Sequence, residues 1–417
     1  MKITFTPARR RLITGVALVL AGIYTLLATR QVVVSWLGDR VELKSLQHAA
    51  SLDPSNADFR NHLGRYYDLV VRDPATAIGY YRSAVQLNPH SARYWFDLAS
   101  AYQILGDTPN QTQALEHAID ADSMTPDVAW EAANLYLVQG QNDKALREFR
   151  VVMANDSSLA GTSIQFCWRI QPDVDVLLRD VVPRDANAYV AFLELLESKQ
   201  ETAATFKVWD ALIQSGQTFE SRRVYDYFRY LIKHKEVDQA TKVWQQSVSR
   251  FGLASYQPTV GNLVVNPTFS LDVLNGGFDW QYEKQSGVSL TYDDRDFHAG
   301  RRSMLVTFDG PGISDAGFYQ LIPVQRGTSY DFTAYYKNGE LEGAGGPHFT
   351  IQDMYSQQVY YDSDELKDGS FWKSVDGEFT TSSDCKLVVL HVRRLPAGSP
   401  IRGKLWIDDF HLSRKPS

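Results

Sequence analysis

Three regimes of hydrophobic patterning follow one another along the chain. In "RRRLITGVALVLAGIYTLLATR" no charged residue interrupts the run between Leu12 and Thr29. From Glu42 to Phe251 the pattern is that of paired helices, apolar faces broken by Gly, Pro or Asp at the turns. From Asn262 onward helix signals vanish, and short strands bounded by turn residues recur about every 8 to 12 residues. In "SMLVTF" and "KLWIDDF" apolar and polar residues alternate, which sets one face of a strand on a core and the other toward solvent. The strand segments are "GVSLTYDD", "RRSMLVTFDG", "GFYQLIPVQ", "SYDFTAYYKNG", "HFTIQDMYS", "FWKSVDGEFTT", "CKLVVLHVRRL" and "GKLWIDDFHL". A two-layer β-sandwich of the jelly-roll type is the natural outcome. The expected fold is therefore multidomain: an N-terminal transmembrane helix, an all-α solenoid, then an all-β jelly-roll sandwich. Its expected bounds are 1–11 for a cytoplasmic tail, 12–37 for the helix, 42–251 for the helical repeats and 260–417 for the sandwich.

The helical part repeats itself. Aligning "LGRYYDLVVRDPATAIGYYRSAVQLNP" from Leu63, "LASAYQILGDTPNQTQALEHAIDADS" from Leu98 and "AANLYLVQGQNDKALREFRVVMANDS" from Ala132 gives one scheme of small and large residues about every 34 positions. Gly64, Ala99 and Ala133 fall where the first helix of each hairpin needs a small residue, Tyr67, Tyr102 and Tyr136 fill the next turn, and Ala84 and Ala118 take the tight contact in the second helix. Gly106 and Gly140 suit left-handed caps. This segment resembles the tetratricopeptide (TPR) repeat family. An earlier fragment, "ELKSLQHAASLDP", reads as the second helix of a preceding unit whose first helix falls at the membrane exit. The hairpins after Ser157 keep the pattern with fewer marks, Ala204 and Ala240 being their contact candidates. The resemblance implies a stack whose concave surface holds a protein partner. Tyr67, Tyr102, Tyr136, Trp209 and Trp244 sit at core spacing, and core packing is the reading preferred for them.

The β segment carries its own landmarks. They are the opening "NLVVNPTF", Gly277 to Trp280, "FHAGRRSMLVTF", "YQLIPVQRGTSYDFTAYYK" and the closing "GKLWIDDFHL". Together they resemble the galactose-binding-like jelly rolls that include carbohydrate-binding modules. That resemblance implies aromatic rings stacking on sugar faces beside hydrogen-bonding side chains. Trp280, Tyr282, Tyr319, Tyr335, Tyr360 and Trp372 are the candidates for such stacking, although most aromatics of a sandwich this size belong to its core. The resemblance also implies a structural calcium near the first and last strands, with Asn266, Asp408 and Asp409 as candidate ligands. Against that ion, Ser270 stands where many relatives carry a Glu. The alternative for Asp408 and Asp409 is a strand-end pair bonded to loop amides.

Charge and composition add exclusions. The 417 residues are 22% charged and 44% hydrophobic with a net charge of -7, so nucleic acid is not an expected partner. Two cysteines, Cys167 and Cys385, exclude a disulfide framework and read as buried thiols. The N-terminal run has about 20 apolar residues, enough to cross about 30 Å of hydrocarbon as one helix. Arg9, Arg10 and Arg11 precede it, which keeps the N-terminus cytoplasmic and exports the rest. A cleavable signal peptide and a buried core helix are the alternatives.

The chain holds no P-loop, no G-x-S-x-G, no H-E-x-x-H and no dinucleotide fingerprint. The acidic run "DDRD", Asp293 to Asp296, reads as a solvated hairpin turn rather than a glycosidase pair. The expected protein is a membrane-anchored, non-catalytic envelope scaffold. It would hold a protein through the repeats and a glycan through the jelly roll, in exopolysaccharide or lipopolysaccharide assembly or export. A pure protein scaffold with a sugar-inert sandwich is the first alternative, and a polysaccharide-acting enzyme the second.

Overall fold

A computed structural model describes residues 7–38, 42–310, 312–367, 369–394 and 398–416. Residues 1–6 of the expected cytoplasmic tail lie outside these described residues, as do the side chains of Arg9 and Arg10. Fourteen α-helices and ten β-strands follow in order among the described residues. The chain divides into two compact units, Met1–Leu195 and Leu196–Ser417.

In the first unit, α1 (Pro7–Gly38) is long and apolar enough over Arg11–Leu37 to cross a membrane, with its side chains exposed over most of that length. Its last turns are different. Val34 is buried against Leu46, Ala49 and Ala50 of α2 (Leu43–Leu52), and the Arg30 guanidinium donates to the Leu52 carbonyl. The end of α1 is thus the first helix of the first hairpin, as the earlier fragment led one to expect.

The repeats follow: α3 (Ala57–Arg65) with α4 (Pro74–Leu87), α5 (Ala92–Ile104) with α6 (Thr108–Ala121), and α7 (Pro126–Val138) with α8 (Asn142–Asn155). The first helices start at Ala57, Ala92 and Pro126, and α9 (Ala160–Ile170) continues the period. Each small-residue position is filled tightly: Ala84, Ala99, Ala118 and Ala133 are fully buried, and a Cβ on Gly64 would meet the Tyr81 ring at 2.5 Å. Gly106 and Gly140 take φ values of +72° and +70°, the left-handed caps expected of them. Asp73 and Asp107 cap α4 and α6 by accepting amide hydrogens from Thr76 and Asn110. A shorter α10 (Val174–Val176) and then α11 (Ala186–Lys199) lead into the second unit.

The second unit joins α12 (Thr202–Gln214), α13 (Arg222–Lys233) and α14 (Val237–Arg250) to the β-sandwich. Ala240 is fully buried as expected, but on α12 the buried contact position is Thr205, beside a half-buried Ala204; its hydroxyl bonds the Tyr227 hydroxyl at 2.9 Å. Trp209 and Trp244 are buried in this hairpin core, and so are the thiols of Cys167 and Cys385 elsewhere in the chain.

The sandwich has two five-stranded antiparallel sheets. One runs β1 (Gln281–Tyr282), β4 (Asp315–Pro323), β9 (Leu387–Arg394), β6 (Pro347–Asp353), β7 (Val359–Asp362). The other runs β2 (Val288–Asp293), β3 (Ser303–Gly310), β10 (Ile401–Arg414), β5 (Ser329–Gly343), β8 (Lys373–Thr380). Strands β1 and β7 are too short and too weakly patterned to be read from the sequence. The opening segment "NLVVNPTF" forms no regular strand, and the cause is local. Asn266 and Phe269 both sit at a φ of +49°, Pro267 has no amide to donate, and the segment is tied to β10 through Asn262 instead. The Asn262 amide donates to the Phe410 carbonyl at 2.8 Å while its oxygen accepts from the amides of Val264 and Leu412.

The two sheets differ in what their outer faces meet. Strands β3 and β5 alternate buried and half-exposed residues, the pattern of a solvated face. Strand β9 is buried almost throughout, at outward-facing Leu387, Val389 and His391 as well as at inward-facing Val388 and Leu390. Helices α13 and α14 reach this sheet and the segment before β1. Phe278 packs edge-on against Phe228 at 4.8 Å, the Tyr355 hydroxyl donates to the Ile232 carbonyl at 2.9 Å, and Lys386 pairs with Asp238.

The turn "NGG" is the tightest part of this junction. A Cβ on Gly276 would lie 2.6 Å from the Tyr225 ring, and one on Gly277, where φ is +63°, would lie 2.0 Å from the Trp244 ring. Gly277→Ala is expected to cost at least ~3 kcal/mol, because overpacking and left-handed strain add. Chemical denaturation followed by tryptophan fluorescence checks this value.

Beside the turn, Asp279 is fully buried; one carboxylate oxygen accepts the Leu274 amide at 2.7 Å and the other has no partner. Burial pushes its pKa up to about 7. A carboxyl whose pKa rises on folding holds its proton better in the folded chain. Its stabilising effect is therefore complete at acidic pH and lost as pH climbs through the interval from 3.8 to about 7. The thermal midpoint of the chain should fall across that interval, and Asp279→Asn should flatten the profile and raise the midpoint at pH 8.

Candidate functional site

The open side of the sandwich, between edge strands β1 and β2, holds a cleft of about 400 Å³. Its floor is apolar, made by Leu290, Met304, Ala316 and Phe318, and its rim carries Glu283, Lys284, Gln285 and Thr291. Two tyrosines stand in it. Tyr282 is 49% exposed and Tyr292 is 38% exposed.

Both rings are held by the segment before β1. The Asn275 side chain, on a residue with φ of +53°, accepts the Tyr282 amide at 2.9 Å, and the Tyr292 hydroxyl accepts the Val273 amide at 2.8 Å. The Arg302 guanidinium lies 3.7 Å from the Tyr292 ring centroid and pairs with Asp272 at 2.6 Å, so one face of that ring is occupied. Tyr282 is the ring with a face to offer. A half-exposed tyrosine over an apolar floor, with carboxylate, amide and hydroxyl groups at the rim, can stack on the apolar face of a sugar while hydrogen-bonding its hydroxyls.

The other stacking candidates lie elsewhere. Trp280 is 1% exposed, its ring stacked on Phe318 at 4.8 Å and edge-on to Phe410 at 4.8 Å, with its indole N–H donating to the Asn266 carbonyl. That residue belongs to the core, because each ring face is already occupied. Tyr319 is half-buried on β4 and its hydroxyl bonds the Gln281 side chain. Tyr360, at the far edge, bonds Ser382 through its hydroxyl and stacks near Phe379.

Tyr335 and Trp372 are brought together on the solvated face of the second sheet by His298, which stacks on Tyr335 at 3.6 Å and lies 5.9 Å from Trp372. Here "DDRD" has a structural role that its sequence did not reveal. Asp296 accepts the Trp372 indole N–H at 3.1 Å and pairs with Lys337, while Asp293 accepts the Trp406 indole N–H at 2.8 Å. Sequence reasoning missed Tyr292, His298 and Trp406, because strand order and not local pattern brings them to their places.

The calcium candidates do not fit the ion. The Asn266 side chain closes its own turn by exchanging bonds with both the amide and the carbonyl of Leu271. Asp408 accepts the amides of His298, Ala299 and Asp409, and Asp409 faces the His298 ring at 3.0 Å. Despite those amides, burial holds the Asp408 pKa up at about 6. Among the described residues no three His, Cys, Asp or Glu side chains gather as a metal group.

With the geometry in place, comparison with known proteins adds a class. Residues 261–396 match the family described as "Carbohydrate binding domain". The C-terminal part of this chain is thus a carbohydrate-binding domain with a β-sandwich fold, preceded by TPR-like helices. Similar solved structures fall on both parts. One described as "CBM4 structure and function" is 17% identical, covering 36% of this chain and 98% of its own, with a TM-score of 0.29. A crystal structure of MamA is 19% identical over 42% of this chain and 86% of its own, with a TM-score of 0.25. Pseudomonas aeruginosa pilF is 18% identical over 50% of this chain and 81% of its own, with a TM-score of 0.24. No curated protein matches the sequence at a significant level. The family matched by residues 261–396 is described by binding, not by catalysis.

Two substitutions separate the core aromatic from the cleft aromatic. Trp280→Ala is expected to destabilise the chain by about 3–5 kcal/mol. Tyr282→Ala should change stability by no more than ~0.5 kcal/mol. Denaturant midpoints of the two variants check the assignment.

Proposed function

We propose that this protein is a membrane-anchored, non-catalytic adaptor of the cell envelope, which grips a glycan chain in the β1–β2 cleft and a protein partner on its TPR-like repeats. The family match of residues 261–396 carries the reading, and the half-exposed Tyr282 above an apolar floor supports it. Helix α1 supports the anchor: about 20 residues from Arg11 to Arg30 are free to lie in hydrocarbon, before Val34 turns into the protein. With the arginines ahead of it, the N-terminus lies in the cytoplasm and the repeats and sandwich are exported. Assembly or export of exopolysaccharide or lipopolysaccharide is the role that unites an anchor, a polymer grip and a docking scaffold.

A second reading, a protein scaffold whose sandwich binds no sugar, draws on the close junction of Gly276 and Gly277 with Tyr225 and Trp244. A sandwich held that firmly can serve the repeats as a terminal cap.

A polysaccharide array probed with the full chain in detergent distinguishes the two. The adaptor reading expects retention on at least one polymer and a loss of about ten-fold in affinity for Tyr282→Ala, roughly the worth of one stacked ring. No retention on any polymer supports the sugar-inert scaffold.

A further inference from the structure

The first helices of successive hairpins bring a set of hydrogen-bond acceptors together in the repeats. Asn61 on α3 is 3% exposed, and its amide nitrogen donates to Asp97 on α5 at 2.8 Å. The oxygen of that same buried amide has no hydrogen-bond partner, and neither does one buried oxygen of Asp68, three residues beyond α3. Asp68 and Asp97 lie near enough to each other and to the Tyr81 hydroxyl to act on it electrostatically; Glu131, the residue of α7 one repeat beyond Asp97, feels Asp97 as well. Asp58 takes the Tyr94 hydroxyl beside them.

The cations in reach are few. Arg93, 56% exposed, approaches Asp97 only to 3.6 Å, and Arg65 lies near Tyr81. Buried acceptors without donors are costly, about 1–3 kcal/mol each, and a donor supplied from outside would remove that cost. Beside the carboxylates of Asp68 and Asp97, a cationic donor with several N–H bonds in a fork suits these acceptors best, and a guanidinium offers that better than an ammonium.

We propose that these acceptors form a pocket for the arginine side chain of a basic segment of the partner protein, seated between Asn61, Asp68 and Asp97. The inference rests on the reading of the repeats as a docking surface and names the chemistry of what docks. Glu131 on the neighbouring repeat extends the acidic strip, so a further basic residue of the same segment finds a place one repeat along.

Fluorescence anisotropy of labelled hexa-arginine, hexa-lysine and hexa-glutamate peptides, titrated with the full chain in detergent, tests this. Hexa-arginine should bind tightest, hexa-glutamate should not bind, and Asp97→Asn should weaken hexa-arginine by about ten-fold. Glu220→Gln, a charge removed outside the pocket, should leave the affinity unchanged within about two-fold. Asp68→Asn serves as the second pocket variant if circular dichroism shows Asp97→Asn misfolded. Equal effects of pocket and control substitutions, or equal affinity for arginine and lysine peptides, would overturn the assignment. A photo-crosslinker at Val70, 57% exposed beside Asp68, separates this outcome from failure of the docking reading. Trapping of a partner in cells by wild type and Asp97→Asn alike would leave docking standing and remove the arginine anchor. No trapping by either would remove docking.

Discussion

The bare backbone of Gly276 and Gly277 lies against the rings of Tyr225 and Trp244 with no space for a side chain between them. Everything at the candidate cleft is referred to that contact. Asn275, one residue earlier, holds the Tyr282 amide; Val273 holds the Tyr292 hydroxyl; Asp279, two residues after Gly277, ties the loop back through Leu274. Helices α13 and α14 therefore position the segment from which the cleft's two tyrosines hang. A site on an edge is otherwise the least ordered part of a sandwich, and here a helical hairpin supports it.

The same junction assigns different roles to the faces of the sandwich. Strand β9 is buried on both faces, which explains why "LVVLHV" reads as an unbroken apolar run rather than an alternating one. The sheet carrying β5 keeps its alternation and exposes Tyr335, His298, Trp372 and Trp406 as a patch knitted by Asp293 and Asp296. In that patch His298 stacks on Tyr335 and Lys337 lies over the Trp406 ring, whereas Tyr282 leaves a face open. A carbohydrate needs the open face, and this difference favours the cleft over the larger aromatic patch.

Much of the architecture was legible because the relevant signals are local. The spacing of Gly64, Ala99 and Ala133 reports a contact that must recur in every hairpin, and the alternation in "SMLVTF" reports a half-buried strand. The site was less legible. Trp280 and Tyr282 look equivalent in sequence, yet one is sealed by Phe318 and Phe410 and the other stands at an edge. That distinction arises from strand order, which no short window contains. "NLVVNPTF" misled in a different way: its valines are buried like a strand's, but positive φ at Asn266 and Phe269 and the Asn262 side chain replace ladder pairing. Asp408 shows the limit of a resemblance for ligands, since its carboxylate serves three amides of the fold itself.

Along the sequence an apolar helix is followed by TPR-like repeats and then by a β-sandwich, matched by a carbohydrate-binding family, that packs on the last hairpin. Hydrogen–deuterium exchange of the full chain, with and without a polysaccharide that it retains, tests the central claim most directly. The account predicts slowed exchange over residues 281–293, with residues 331–337 and 404–409 unchanged. Slowed exchange confined to those latter segments, or none in the sandwich at all, would contradict it.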